Sequence, residues 1–142
     1  MTESRQFVTV VPVRWSDFDQ FNHVNNAAYF EFAQEARVAF VTEGLGRALS
    51  AHATVVRRIE IDYLRALLPD TKQVTVETEI INVGTTSYTL SQSIKDQHGH
   101  VTAVVKTIMV LFDLERSVAL QITAAERQQL TQFTSPELTA GE

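Results

Sequence analysis

One segment constrains the fold of this chain more than any other. Ala27 to about Val41 reads A-A-Y-F-E-F-A-Q-E-A-R-V-A-F-V, while most of the other regular runs are short and β-branched. The segment holds no Gly or Pro, is rich in alanine, and places Tyr29, Phe32 or Ala33, Ala36 and Phe40 at helical spacing. Asn25-Asn26 stands where an N-cap belongs, and Gly44 and Gly46 follow the last periodic residues. The sequence therefore predicts one long helix with both ends marked, apolar around much of its girth. A helix of that kind is usually buried, and in a chain made mostly of strands the economical burial is inside a curved sheet.

The remaining runs supply that sheet. Phe7 to Arg14 is a strand, with Pro12 favouring an edge or a bulge. Thr54 to Arg65 alternates, with Val55, Ile59, Ile61 and Tyr63 on one face and Arg58, Glu60 and Asp62 on the other. Arg57 falls on the apolar face and so calls for a partner, either a buried carboxylate or a phosphate of a ligand. After a turn at Pro69-Asp70 come three more strands, Gln73 to Val83, Ser87 to Lys95 and Val101 to Asp113. The last of these is apolar on both faces, as a central strand would be. Thr123-Ala-Ala-Glu126 has the capping-box pattern and opens a short helix running to about Phe133. The expected architecture is α+β, a single domain over residues 1–142. A long central helix is wrapped by an antiparallel sheet of about five strands, a short C-terminal helix follows, and the tail after about residue 134 frays.

Composition narrows the class. At 142 residues the chain suits one domain with a real core. It has no apolar run long enough to span a membrane, and its polar start lacks the layout of a secretory signal. With no cysteine there is no disulfide framework, thiolate metal site or cysteine nucleophile, and a reducing cytoplasm is the expected home. The net charge of −5, without a basic cluster, argues against a nucleic-acid partner. A phosphate-bearing ligand is still compatible, because a few arginines suffice for one. The four histidines show no metal-ligand spacing and there is no Gly-x-Ser-x-Gly elbow, so no metal and no cofactor are expected.

Chemistry concentrates in Arg14-Trp-Ser-Asp17-Phe-Asp19-Gln-Phe-Asn22-His23-Val-Asn25-Asn26-Ala-Ala-Tyr29, which packs two carboxylates, a histidine, amides and a phenol just ahead of the apolar helix. Any one of these residues is explained by a turn or a cap. The whole set at the mouth of a core is costly unless each group has a partner or a task. The string D-F-D-Q-F-N-H-V-N-N-A-A-Y-F, with E-A-R beyond it, resembles the 4-hydroxybenzoyl-CoA thioesterase and YbgC-like acyl-CoA thioesterase family of hotdog folds. More closely it resembles the H-V-N-N branch, whose signature also occurs in acyl-carrier-protein thioesterases. The motif covers about a sixth of the chain, and the order of elements extends the likeness over most of it.

The resemblance implies hydrolysis of an acyl-CoA, or of a carrier-protein thioester, with Asp19 as catalytic carboxylate and the backbone N–H of Asn26 binding the oxyanion. It also implies a homodimer or homotetramer with shared sites. Elementary chemistry agrees with that division of labour. A helix N-terminus offers free N–H groups and a positive dipole end, and a thiolate leaves without much proton donation because its parent thiol has a pKa of about 8.5. His23 departs from the pattern of many members, and either orients Asp19, binds substrate or satisfies the loop. Asp17 either presses on Asp19 by like-charge repulsion or holds the turn. Glu35 and Arg37 read as an ion pair on the helix. Asn22, Asn25, Tyr29 and Arg57 are the candidate substrate contacts, while the acyl group stays open. Two other functions fit part of this pattern. One is a hotdog enoyl-CoA hydratase or dehydratase, although the spacing of Asp19 and His23 without an intervening proline matches it poorly. The other is a non-catalytic acyl-CoA-binding module.

Overall fold

The computed structural model describes residues 6–45 and 52–134. Among the described residues six strands and two α-helices follow one another. They are β1 (Phe7–Pro12), α1 (Asn26–Ala39), β2 (Ala53–Tyr63), β3 (Gln73–Val83), β4 (Ser87–Lys95), β5 (Val101–Asp113), the two-residue β6 (Val118–Ala119) and α2 (Ala124–Thr131). A 3₁₀ turn, Trp15–Asp17, precedes α1, and a π-helical turn, Phe40–Gly44, extends it. The sheet is antiparallel in the order β1-β3-β4-β5-β2, with β6 folded back on β5. Pro12 ends an edge strand, where its missing N–H takes no bond out of the ladder. Gly46, Pro136 and the tail read as frayed lie outside the described residues.

Alternation puts one face of the sheet against α1. Val74, Val76, Thr78 and Ile80 of β3, Tyr88, Leu90, Gln92 and Ile94 of β4, and Ala103, Val105, Thr107, Met109 and Leu111 of β5 are all buried on that side. The helix packs there through Ala28, Tyr29, Phe32, Ala33 and Ala36, whose small residues let it lie close over β1, β3 and β4. Gln92 fixes the contact in the middle of the core, donating from Nε2 to the Ala33 carbonyl at 3.1 Å and to Thr78 Oγ1 at 3.2 Å. The far end is closed by an edge-to-face cluster. The Phe40 ring centroid lies 5.7 Å from that of Phe7 and 5.1 Å from that of Phe133, which follows α2.

Three expectations change. The helix is buried on one face instead of over most of its girth, since Phe30, Glu31, Gln34 and Val38 are exposed. The pair read as Glu35–Arg37 does not form: residues two apart on a helix point in different directions. Glu35 pairs with Arg14, and Arg37 turns into the core. In β2 the alternation is broken by a bulge between Val56 and Arg58. Ile59 and Ile61 lie opposite the buried Thr107 and Val105, whereas Val55 pairs with Val110 on the other face. Arg57 is the extra residue of the bulge and is exposed, so it has no carboxylate partner among the described residues and needs none.

Gly44 closes the π-turn, but not through a left-handed backbone. A Cβ there would lie 3.0 Å from Cδ1 of Phe7 and 3.2 Å from Cδ1 of Phe40, so any larger residue presses on these packed rings.

Candidate active site

The loop between β1 and α1 is held by its own backbone and by the two aspartates, which do different things. Asp17 is buried, and its Oδ2 accepts the Arg14 N–H at 2.7 Å, closing the 3₁₀ turn. Its carbonyl accepts the Asn25 N–H at 2.7 Å, which sets the start of α1. Asp17 is therefore the structural member of the pair. Asp19 is half-buried two residues on, and its Oδ1 accepts the N–H groups of Phe21 at 2.9 Å and His23 at 3.3 Å. Its own N–H donates to the His23 carbonyl at 2.9 Å. The carboxylate is thus clamped by one oxygen, while Oδ2 takes no hydrogen bond among the described residues.

Sequence explains this local geometry. Asn22 sits at φ 63°, a left-handed conformation that asparagine tolerates far better than most residues, and this lets the chain reverse between Asp19 and His23. Phe18 and Val24 then meet as an antiparallel bridge, and the buried Val24 anchors the loop with its N–H on the Leu67 carbonyl. Asn25 is the N-cap, its side-chain oxygen accepting the Ala27 N–H at 2.9 Å. Asn26 is the first helical residue and is exposed, and no acceptor among the described residues takes its N–H. A free donor at the positive end of a helix is a place for developing negative charge.

The proposed substrate contacts separate into groups. Asp19, Asn22, His23, Asn25 and Asn26 share one loop. The His23 ring is exposed, with no hydrogen-bond partner among the described residues, while its backbone serves Asp19. Tyr29 is buried, and its hydroxyl accepts the Leu67 N–H at 3.3 Å, so it shapes the wall instead of presenting a free group. Burial drives its pKa upward, with the Leu67 contact opposing. Arg57 does not join the loop in its own chain. It lies six residues along β2 from Tyr63, about 20 Å at the rise of an extended strand.

Tyr63 is the residue the sequence reading missed as part of the site. Its hydroxyl donates to the Asn26 carbonyl at 3.1 Å and its ring meets Tyr29 edge-on at 5.1 Å, tying the end of β2 to the start of α1. The only signal was an aromatic residue at the end of an alternating strand, and the contact spans 37 residues.

Comparison with known proteins follows the same outline. The thioesterase-like superfamily matches residues 13–134. The chain belongs to that superfamily. It is 35% identical over 134 residues to the long-chain acyl-CoA thioesterase FadM of Escherichia coli, an alignment covering 88% of this chain and 97% of FadM. A solved thioesterase from Thermus thermophilus, complexed with coenzyme A and zinc, superposes with a TM-score of 0.73 at 27% identity, over 87% of this chain and 95% of that one. A superfamily structure from a Jannaschia species reaches a TM-score of 0.82 over 95% of this chain and 99% of that one, and at 20% identity it shows the fold alone. The thioesterase-like superfamily therefore accounts for the hotdog fold and for a thioester hydrolase, and the loop from Asp17 to Asn26 lies inside the matched range.

Proposed function

We propose that the protein hydrolyses acyl-CoA thioesters, with Asp19 as the catalytic carboxylate and the Asn26 N–H as the oxyanion donor. One observation carries the reading: a carboxylate clamped through Oδ1, with no partner for Oδ2 among the described residues, in the loop that leads into the N-terminus of α1. Asp19 Oδ2 takes a proton from water as it attacks the thioester carbonyl, or attacks the carbonyl itself to give an anhydride that water then cleaves. The carbonyl oxygen gains charge against the N-terminal N–H of α1, and collapse of the adduct expels the thiolate of coenzyme A. Coenzyme A enters as part of the substrate, and the reading takes no cofactor.

The similarity to FadM supports a long-chain acyl group as the first class to test, and the H-V-N-N motif supports the YbgC-like branch. A homodimer or homotetramer completes the reading. Among the described residues the edge strand β2 has one unpaired side, and Phe30 and Val38 on the free face of α1 are exposed. Arg57 then serves the site of a neighbouring subunit. The working compartment is the cytoplasm, in keeping with a chain that contains no cysteine.

Free-thiol release across short, long and aromatic acyl-CoAs tests the substrate class. Turnover of at least one class supports the proposal. Retention of intact acyl-CoA without thiol release would favour a binding module, and hydration of an enoyl-CoA without release would favour the hydratase.

A further inference from the structure

A donor on the first residue of a helix is only as well placed as the first turn is still, and helix ends fray. The turn that carries the Asn26 N–H is held from two directions. Its own loop supplies local holds: the Asn25 N–H donates to the Asp17 carbonyl at 2.7 Å, the Ala27 N–H to Asn25 Oδ1 at 2.9 Å and the Ala28 N–H to the Asn25 carbonyl at 2.9 Å. These bonds fix the shape of the turn but travel with it. The hold from outside comes from the sheet, where the Tyr63 hydroxyl donates to the carbonyl of Asn26 itself at 3.1 Å.

Tyr63 can anchor another group because it is anchored itself. It ends β2 opposite Ala103, and just beyond it the N–H groups of Leu64 and Arg65 both donate to the Thr102 carbonyl, at 2.8 and 3.0 Å. Thr102 is fully buried, and its hydroxyl donates to the Ile94 carbonyl of β4 at 2.8 Å. The Tyr63 ring stands edge-on to that of Tyr29, which is buried with its hydroxyl on the Leu67 N–H. The Leu67 carbonyl in turn takes the Val24 N–H at 3.2 Å, so the Tyr63 ring packs on the same unit that holds the Asp19 loop.

We infer that Tyr63 is the positioning residue for the oxyanion donor of the thioester hydrolysis assigned above to Asp19 and Asn26, a role that rests on that assignment. The hydroxyl does not touch substrate in this role, because its hydrogen is spent on the Asn26 carbonyl. It holds that residue, so that the N–H on the other side of the same Cα meets the thioester oxygen as charge develops there. A preorganised donor needs no reorientation at the moment of reaction, whereas a loose one must first be ordered. The effect falls on the transition state, where the oxygen is charged, and little on the ground state, where it is a weak acceptor.

Tyr63→Phe removes the hydroxyl and keeps the ring on Tyr29. Removing an oxyanion donor outright costs about 10²–10³ in kcat, and a donor kept but loosened should cost about tenfold. The expected result is therefore a kcat about tenfold below wild type with KM within about twofold, on the acyl-CoA the wild type cleaves best, dodecanoyl-CoA being tried first. A second readout needs no turnover. Its probe is the ketone analogue of the same acyl-CoA, with a methylene in place of the thioester sulfur and carbon-13 at the carbonyl. On the wild type the carbonyl resonance moves downfield of the free compound as the donor polarises it, and on Tyr63→Phe it moves clearly less far. No shift on the wild type refutes the Asn26 assignment, and the role of Tyr63 with it. A wild-type shift that Tyr63→Phe reproduces in full refutes the role of Tyr63 alone. So does a rise in KM at unchanged kcat, which would make Tyr63 an ordinary substrate contact, and so does a lower Tm at unchanged kcat, which would make it merely structural.

Discussion

Asp17 and Asp19 are two residues apart and chemically alike, and the structure separates them by what each oxygen touches. Asp17 is a buried acceptor for the Arg14 N–H, so Asp17→Ala leaves that donor unsatisfied. The variant should lose about 1–3 kcal/mol in denaturant unfolding while the folded fraction keeps most of its turnover. A stable, inactive Asp17→Ala would reverse the assignment. Asn26→Ala should keep turnover near the wild-type level, because the proposed donor is a backbone N–H. The sequence could nominate this loop because its polar residues are contiguous. Residue type and spacing alone could not separate the two aspartates, which only the family resemblance did by pointing to Asp19, since one accepts from the preceding turn and the other from the following one. Nor could it foresee Tyr63, whose partner lies 37 positions away, or Arg37, whose expected partner Glu35 is taken by Arg14.

Elements were legible wherever periodicity ran unbroken. The bounds of β3, β4 and β5 are those read from alternation and from the turn residues between them, and Thr123–Glu126 caps α2 as its pattern implied. A single inserted residue at Arg57 defeats the same reasoning in β2, because a bulge flips the phase without altering composition. Gly44 was read as a stop signal, yet its cause is crowding. Gly44→Ala should therefore cost about 1–3 kcal/mol, measured as a fall in Tm, although alanine favours helical backbone. The α2 cap adds a pH dependence. Burial alone would raise the pKa of Glu126, but the Thr123 N–H, the Thr123 hydroxyl and His52 outweigh it and hold the carboxyl below its ordinary value. A carboxyl with a depressed folded pKa contributes stability above its unfolded pKa, near 4.5, and loses it as pH falls through the lower folded value. Glu126→Gln should flatten that part of the acid-unfolding curve, and an unchanged curve would remove Glu126 from the explanation.

At the scale of the molecule, one curled sheet gives α1 a floor and leaves its N-terminus open. No helix among the described residues is long and apolar enough to cross a membrane. The exposed side of α1 and the free edge of β2 lead us to expect a dimer or tetramer by sedimentation at micromolar concentration, and a fully active monomer would contradict that. The hotdog architecture was legible in the sequence because a lone long helix among strands has few places to go. The degree of burial was not, since alternation and helical spacing say nothing about a face that a second chain can cover. The most direct test of the account is the turnover of Asp19→Asn on whichever acyl-CoA the wild type cleaves, with binding of a non-hydrolysable analogue followed in parallel. Asparagine preserves size and the contacts of Oδ1 but gives up the base and the nucleophile, so thiol release should fall by about 10²–10⁴ or more while analogue binding stays close to wild type. Wild-type thiol release from a correctly folded Asp19→Asn would contradict the account.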